Sequence, residues 1–110
     1  MPVIMLLEPP PQYDHAFHGQ VIEQRLSQLQ LFMLCHGPTT ACSWVKKGVC
    51  HIVISNTEND RRAIALMRQH ETGHCNGWPG YHPNAHWVEV KTGKSVPPPK
   101  TGIVYGFTLF

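Results

Sequence analysis

His70 and His74 stand one helical turn apart, with Glu71 between them, in the run His70-Glu71-Thr72-Gly73-His74. Each residue of an α-helix advances the chain by about 100°, so positions four apart lie one above the other on one face. Two imidazoles placed this way can grip one zinc ion. Glu71 beside them can take a proton from a water on that ion. A zinc that does chemistry needs a third protein ligand and keeps its fourth place for water. Beyond His74 the candidates are His82, His86 and Glu89. His82 leads, because Gly77 can turn the chain and Trp78-Pro79-Gly80-Tyr81 forms a loop able to bring it back. His86 comes next, and then Glu89, on a segment that reads as strand.

These side chains need a helix and something to hold it. The spacing predicts a helix over residues 58–75. Ser55 with Glu58, or Thr57 with Asp60, supplies a capping-box signature at its start. Ala63, Leu66, Met67, His70 and His74 fall within about one third of its circumference, so the histidines lie on the inward stripe. Gly77 follows as a left-handed stop. Ahead of the helix, residues 41–45 and 49–55 read as a β-hairpin around Lys46-Lys47-Gly48. Residues 3–7 read as a short strand, and 8–12 as a proline-rich loop. Val21, Ile22, Leu26 and Leu29 suit an amphipathic helix over 19–31. Residues 87–90 and 103–110 read as strands, with a proline-rich loop at 96–100. The expected class is α+β: one domain over 1–110, with a short mixed or antiparallel sheet packed on an N-terminal helix and on the helix bearing the histidines.

Composition narrows the partners. A chain of 110 residues suits one domain with one core. The net charge is only +2, with Lys and Arg scattered, which argues against a nucleic-acid partner. No apolar run approaches the roughly 20 residues that a membrane helix needs, so no membrane partner is expected. With no leader visible, the chain reads as cytoplasmic. On that reading Cys35, Cys42, Cys50 and Cys75 are expected as reduced thiols. A cross-strand bond between Cys42 and Cys50 is the oxidised alternative, because the two flank the hairpin turn. A structural zinc site built from cysteines is a weak reading, since no C-x-x-C pair is present.

With Gly77 seven positions past His70, the run from His70 to His82 resembles the zincin metallopeptidases. The nearer likeness is the metzincin pattern H-E-x-x-H-x-x-G-x-x-H/D. The departures are specific. Gly80 occupies the place of the third ligand, and His82 lies two residues beyond it. The methionines, Met1, Met5, Met33 and Met67, all precede the motif, so no downstream methionine turn is available. Gluzincins would use a downstream glutamate, for which Glu89 stands in a poor context. Peptide deformylases share the motif with a cysteine ligand, but the surrounding residues differ.

The resemblance implies a zincin-like fold, one Zn2+, and hydrolysis of a peptide or protein substrate with Glu71 as general base. It also implies that a strand before the helix binds substrate in extended form. Residues 50–55, with Ile52, Val53 and Ile54, would be that strand. The oxyanion would need a further donor. Tyr81, next to His82, is the candidate, and Tyr105 is the second. Trp78 and Trp87 are expected to cover the core or the cleft floor. The alternative is a zinc-binding scaffold that serves stability or partner recognition without turnover. An inhibitory or accessory partner is open in either case.

Overall fold

The computed structural model describes residues 4–98, 105–106 and 109–110. In chain order the elements are β1 (Ile4–Glu8), β2 (Val21–Leu26), α1 (Gln28–Cys35), β3 (Ala41–Lys46), β4 (Val49–Ser55), α2 (Arg61–Cys75), β5 (His86–Glu89), β6 (Ser95–Val96) and β7 (Tyr105–Gly106). They form two small sheets, ordered β6-β5-β1-β7 and β2-β4-β3. The class is the expected α+β, with two sheets where one was anticipated. No helix among the described residues is long and apolar enough to cross a membrane. Of the terminal strand expected over 103–110, residues 103, 104, 107 and 108 lie outside the described residues.

The hairpin organises the second sheet. Lys47 and Gly48 form a two-residue turn with φ of 51° and 76°, a turn whose twist matches that of paired strands. Its register places Cys42 opposite Val53 and Val45 opposite Cys50. Side chains alternate along a strand, so β4 has two working faces. Cys50, Ile52 and Ile54 join Leu6, Ala41, Ala63, Met67 and Val90 in a core beneath α2. Val53 joins Leu31, Cys35 and Cys42 in a second cluster beneath α1. Burial on both faces explains why Ile52, Val53 and Ile54 are apolar at consecutive positions.

This parity overturns the expected cysteine chemistry. Cys42 and Cys50 point to opposite faces of the hairpin and cannot meet. Cys35 is bonded to Cys42 on the α1 side, and Cys50 to Cys75 on the α2 side. No free thiol remains.

The expected helix over 19–31 is also corrected. Its first half is β2, paired in parallel with β4 from Val21↔Cys50 to Leu26↔Ser55. The apolar residues that suggested an amphipathic helix are largely exposed: Val21 44%, Ile22 36% and Leu29 72%. The helix starts later, at a capping box in which Ser27 Oγ accepts from the Gln30 backbone and the Gln30 side chain accepts from the Ser27 backbone. Pairing with the edge of β4 outweighed a weak 3.6-residue periodicity.

Candidate metal centre

α2 begins at Arg61, three residues later than expected, because Asp60 is its cap and accepts from the backbone of Arg62 and Ala63. Such a cap contributes about 1 kcal/mol. Ala63, Met67, His70, Glu71 and Gly73 are its buried residues. Leu66 is only partly buried, but it packs against the same core. At the other end, Asn76 Nδ2 donates to the carbonyls of Tyr13 and His15, and Gly77 takes a φ of 104°. Trp78 N then donates back to Gly73 O, reversing the chain over the helix end. His82 N donates to Pro79 O. His82 itself has a φ of 58°, a left-handed conformation that is uncommon for a residue with a side chain.

That strained loop carries His82 to the helical pair. The three Nε2 atoms form a triangle: His70–His74 3.2 Å, His74–His82 3.2 Å and His70–His82 3.1 Å. Among the described residues this is the one group of three histidine, cysteine or acidic side chains that can hold a metal ion. His86 and Glu89 are not in it. They lie on β5, paired with Glu8 and Met5 of β1.

Hydrogen bonding fixes what the nitrogens can do. His70 Nδ1 is 2.6 Å from the carbonyl oxygen of Leu7, and His74 Nδ1 is 2.8 Å from that of Trp78. A carbonyl can only accept, so each Nδ1 carries a proton. Each Nε2 of a neutral ring then presents a lone pair. Burial pushes His70 down to about 3, and it also lowers His74 and His82. The rings are therefore neutral near pH 7. Bare lone pairs 3.2 Å apart repel unless they share a cation. Outer partners that hold imidazoles in this tautomer are the usual support of a metal site. The donor set fits an ion bound by all three rings.

Trp78 is the floor of the centre. It is buried, stacks on His74 with ring centroids 4.7 Å apart, and meets His70 and His82 edge-on at 5.0 and 4.9 Å. Its Nε1 donates to Pro83 O, so the indole has a polar anchor. Gly73 lies within the motif for a steric reason. A Cβ there would come within 2.8 and 2.9 Å of the Pro9 ring.

Glu71 is fully buried. Its Oε1 accepts from Ser43 Oγ of β3 at 2.7 Å, and its Oε2 lies 4.0 Å from His70 Nε2 without a hydrogen-bond partner. Burial pushes its pKa up to about 8, and the Ser43 bond acts against that shift. At that value the metal-free carboxyl is mostly protonated near pH 7; a cation shared by the three nitrogens would favour its ionised form, whose Oε2 is placed to accept a proton there.

Several expected site residues sit elsewhere. Tyr81 is 80% exposed, its ring turned to solvent, so in this conformation it offers no hydroxyl to the centre. The side chain of Tyr105 lies outside the described residues. Ile52, Val53 and Ile54 are buried, on the middle strand of their sheet. Both backbone edges of that strand are already paired, so it cannot take up another peptide. The error was one of order within the sheet: β3, not β4, is the outer strand of the hairpin.

Sequence reasoning missed Leu7, Ser43 and Glu8. The first acts through a backbone carbonyl, and serine gives no spacing signal. Glu8, adjacent to Leu7, is fully buried with both carboxyl oxygens lacking partners. Burial first, then the charges of Asp14 and Glu71, push it up to about 9, so it is protonated at neutral pH. Its place in a proline-rich stretch hid it.

No protein-family model, no curated protein and no solved structure matches this chain.

Proposed function

We propose that the protein is a small zinc-dependent peptidase of zincin type. The observation that carries this reading is the His70–His74–His82 triangle with Glu71 beside it. A tetrahedral ion about 2.0–2.1 Å from each nitrogen requires nitrogens about 3.3 Å apart. The 3.1–3.2 Å found here is close to that. Three neutral imidazoles would leave the fourth place of a tetrahedral ion to water, as catalytic zinc requires. Zinc in this place would lower the pKa of a water toward 7 and polarise a carbonyl.

The chain's own residues supply the rest. Leu7 and Trp78 orient the rings of His70 and His74. Glu71 accepts the proton of the attacking water through Oε2 and passes it to the leaving amine. Ser43 holds the other oxygen and so aims the carboxylate. The substrate strand is reassigned to β3. Ala41, Ser43 and Val45 oppose Ile54, Ile52 and Cys50, and the outer edge of β3 runs past Glu71 through Ser43. An extended peptide pairing there would pass over the centre. The two disulfides favour an oxidising compartment over the cytoplasm.

The test is a three-way comparison of zinc content and casein hydrolysis. Glu71→Gln is expected to keep zinc and lose at least about a hundredfold in turnover. His82→Ala is expected to lose zinc and turnover together. If the zinc-loaded parent cleaves neither casein nor a random peptide library, the scaffold reading replaces this one.

A further inference from the structure

β2 is the outer strand of its sheet on the side away from β3. Pairing with β4 uses only half of its backbone. Cys50 N donates to Gln20 O and Asn56 N to Leu26 O, at the two ends of the parallel ladder. That register turns the N–H and C=O groups of Ile22 and Gln24 toward β4 and those of Val21, Glu23 and Arg25 outward. Among the described residues no hydrogen bond reaches these outward groups. Residues 21–25 are all exposed, and both helices pack mainly on β3 and β4.

An unpaired edge is a template for another strand, and charges on it usually keep other chains away. Here the charges fail to repel one partner, a second β2 laid antiparallel. Outward-facing residues must then meet outward-facing residues. Setting Glu23 against Glu23, or Arg25 against Arg25, brings like charges face to face. The register between those two puts Glu23 opposite the second copy's Arg25, and Arg25 opposite its Glu23. It also sets Ile22 opposite Leu26, both on the α1 face, where Leu26 already packs on the cluster of Leu31 and Val53. The charged side chains are held ready. Glu23 accepts from Arg68, and Arg25 uses Nε and Nη2 on the carbonyls of Ser55 and Glu58. That leaves Arg25 Nη1 and the remaining lone pairs of Glu23 to bond across.

We propose that β2 is a dimerisation edge. Two copies of this chain join antiparallel through it, Gln24 opposite Gln24, in one sheet ordered β3-β4-β2-β2-β4-β3. The contact is two-fold symmetric, as closed dimers require. It lies on the edge away from β3, so it is independent of the metal centre and of the peptidase reading. The paired segment is short, and a dissociation constant of roughly 10–100 μM is expected.

The full chain is the test material. At about 0.3 mM, above that constant, sedimentation equilibrium is expected to give twice the 12.4 kDa mass of the chain. Gln24→Cys, oxidised with glutathione, should form a disulfide-linked dimer, because its opposed Cα atoms would lie about 4.5 Å apart. Ile22→Cys should stay unlinked, since the two copies of that position are about 13 Å apart in this register. Arg25→Glu and Glu23→Lys should each weaken association at least about tenfold, and an equal mixture of the two should restore it. Should either charge variant fold poorly by circular dichroism, the cysteine pair decides. A monomeric parent overturns the proposal, as does linking of Ile22→Cys as readily as Gln24→Cys. A dimer indifferent to both charge variants is joined elsewhere, such as through the exposed Leu29 and Met33 of α1, and overturns it too.

Discussion

Ser43 and Glu71 come from different elements, yet they meet at 2.7 Å, hydroxyl to carboxylate, with Glu71 fully buried and Ser43 half-buried. The bond joins β3 to the helix that carries the histidines. It is the one interaction found to hold the Glu71 pKa down against burial. Ser43→Ala should therefore raise that pKa further. Losing a hydrogen bond to a charged group costs about 1.5–3 kcal/mol, which corresponds to a shift of roughly one to two pH units. The acidic limb of the kcat profile should move up by about that amount while zinc content stays unchanged. A serine that served packing alone would leave the limb where it is.

Gly73→Ala gives a sign test. In an open helix this change would stabilise by up to about 1 kcal/mol. Here the new methyl would strike Pro9 Cγ and Cβ, and a proline ring has no flexible end to swing aside. We expect a loss of about 1–3 kcal/mol in urea unfolding. Zinc affinity should weaken as well, because Pro9 follows the strand whose Leu7 carbonyl orients His70.

The two disulfides should separate on metal affinity. Cys50–Cys75 closes 25 residues and ends next to His74, whereas Cys35–Cys42 closes only 7 and lies under α1. Loop-closure entropy assigns about 3–4 kcal/mol to the first and about 2 kcal/mol to the second. Replacing either pair with alanine should lower the melting temperature. Only loss of Cys50–Cys75 should also weaken zinc binding, as read by competition with a chelating dye.

Glu8 sets an alkaline limit on the metal-free protein. Its folded pKa of about 9 lies above the ordinary carboxylate value of 4.5, and Glu71 is raised in the same sense to about 8. A carboxyl held protonated in the fold contributes stability that is complete below about 4.5. That contribution is lost as pH rises through the folded value. The urea midpoint of the metal-free chain should therefore fall steadily from pH 5 to pH 9. Glu8→Gln cannot ionise and should flatten that decline. An unchanged slope would show that Glu8 is not buried as described.

The sequence carried local chemistry better than tertiary choice. His70, Glu71 and His74 were visible because one helical turn is a fixed spacing, and His82 because glycine and proline limit where a loop can go. The hairpin was visible through its turn and its β-branched arm. β2 was misread because an exposed edge strand has no buried face to impose alternation, while the Ser27–Gln30 capping box that marked the true helix start was overlooked. Disulfide partners depend on which face each cysteine takes, and that parity follows from a register the chain does not announce. The outermost strand was misassigned for a similar reason, since β2 adds to β4 from a distance in sequence.

The bond between His70 and Leu7 spans 63 positions. An ion held by His70 is thereby also a clasp between the opening strand and the middle of the chain. In so small a body, filling the centre and assembling the body are one transaction. If zinc fills the centre as proposed, its loss should loosen the architecture and end the chemistry together.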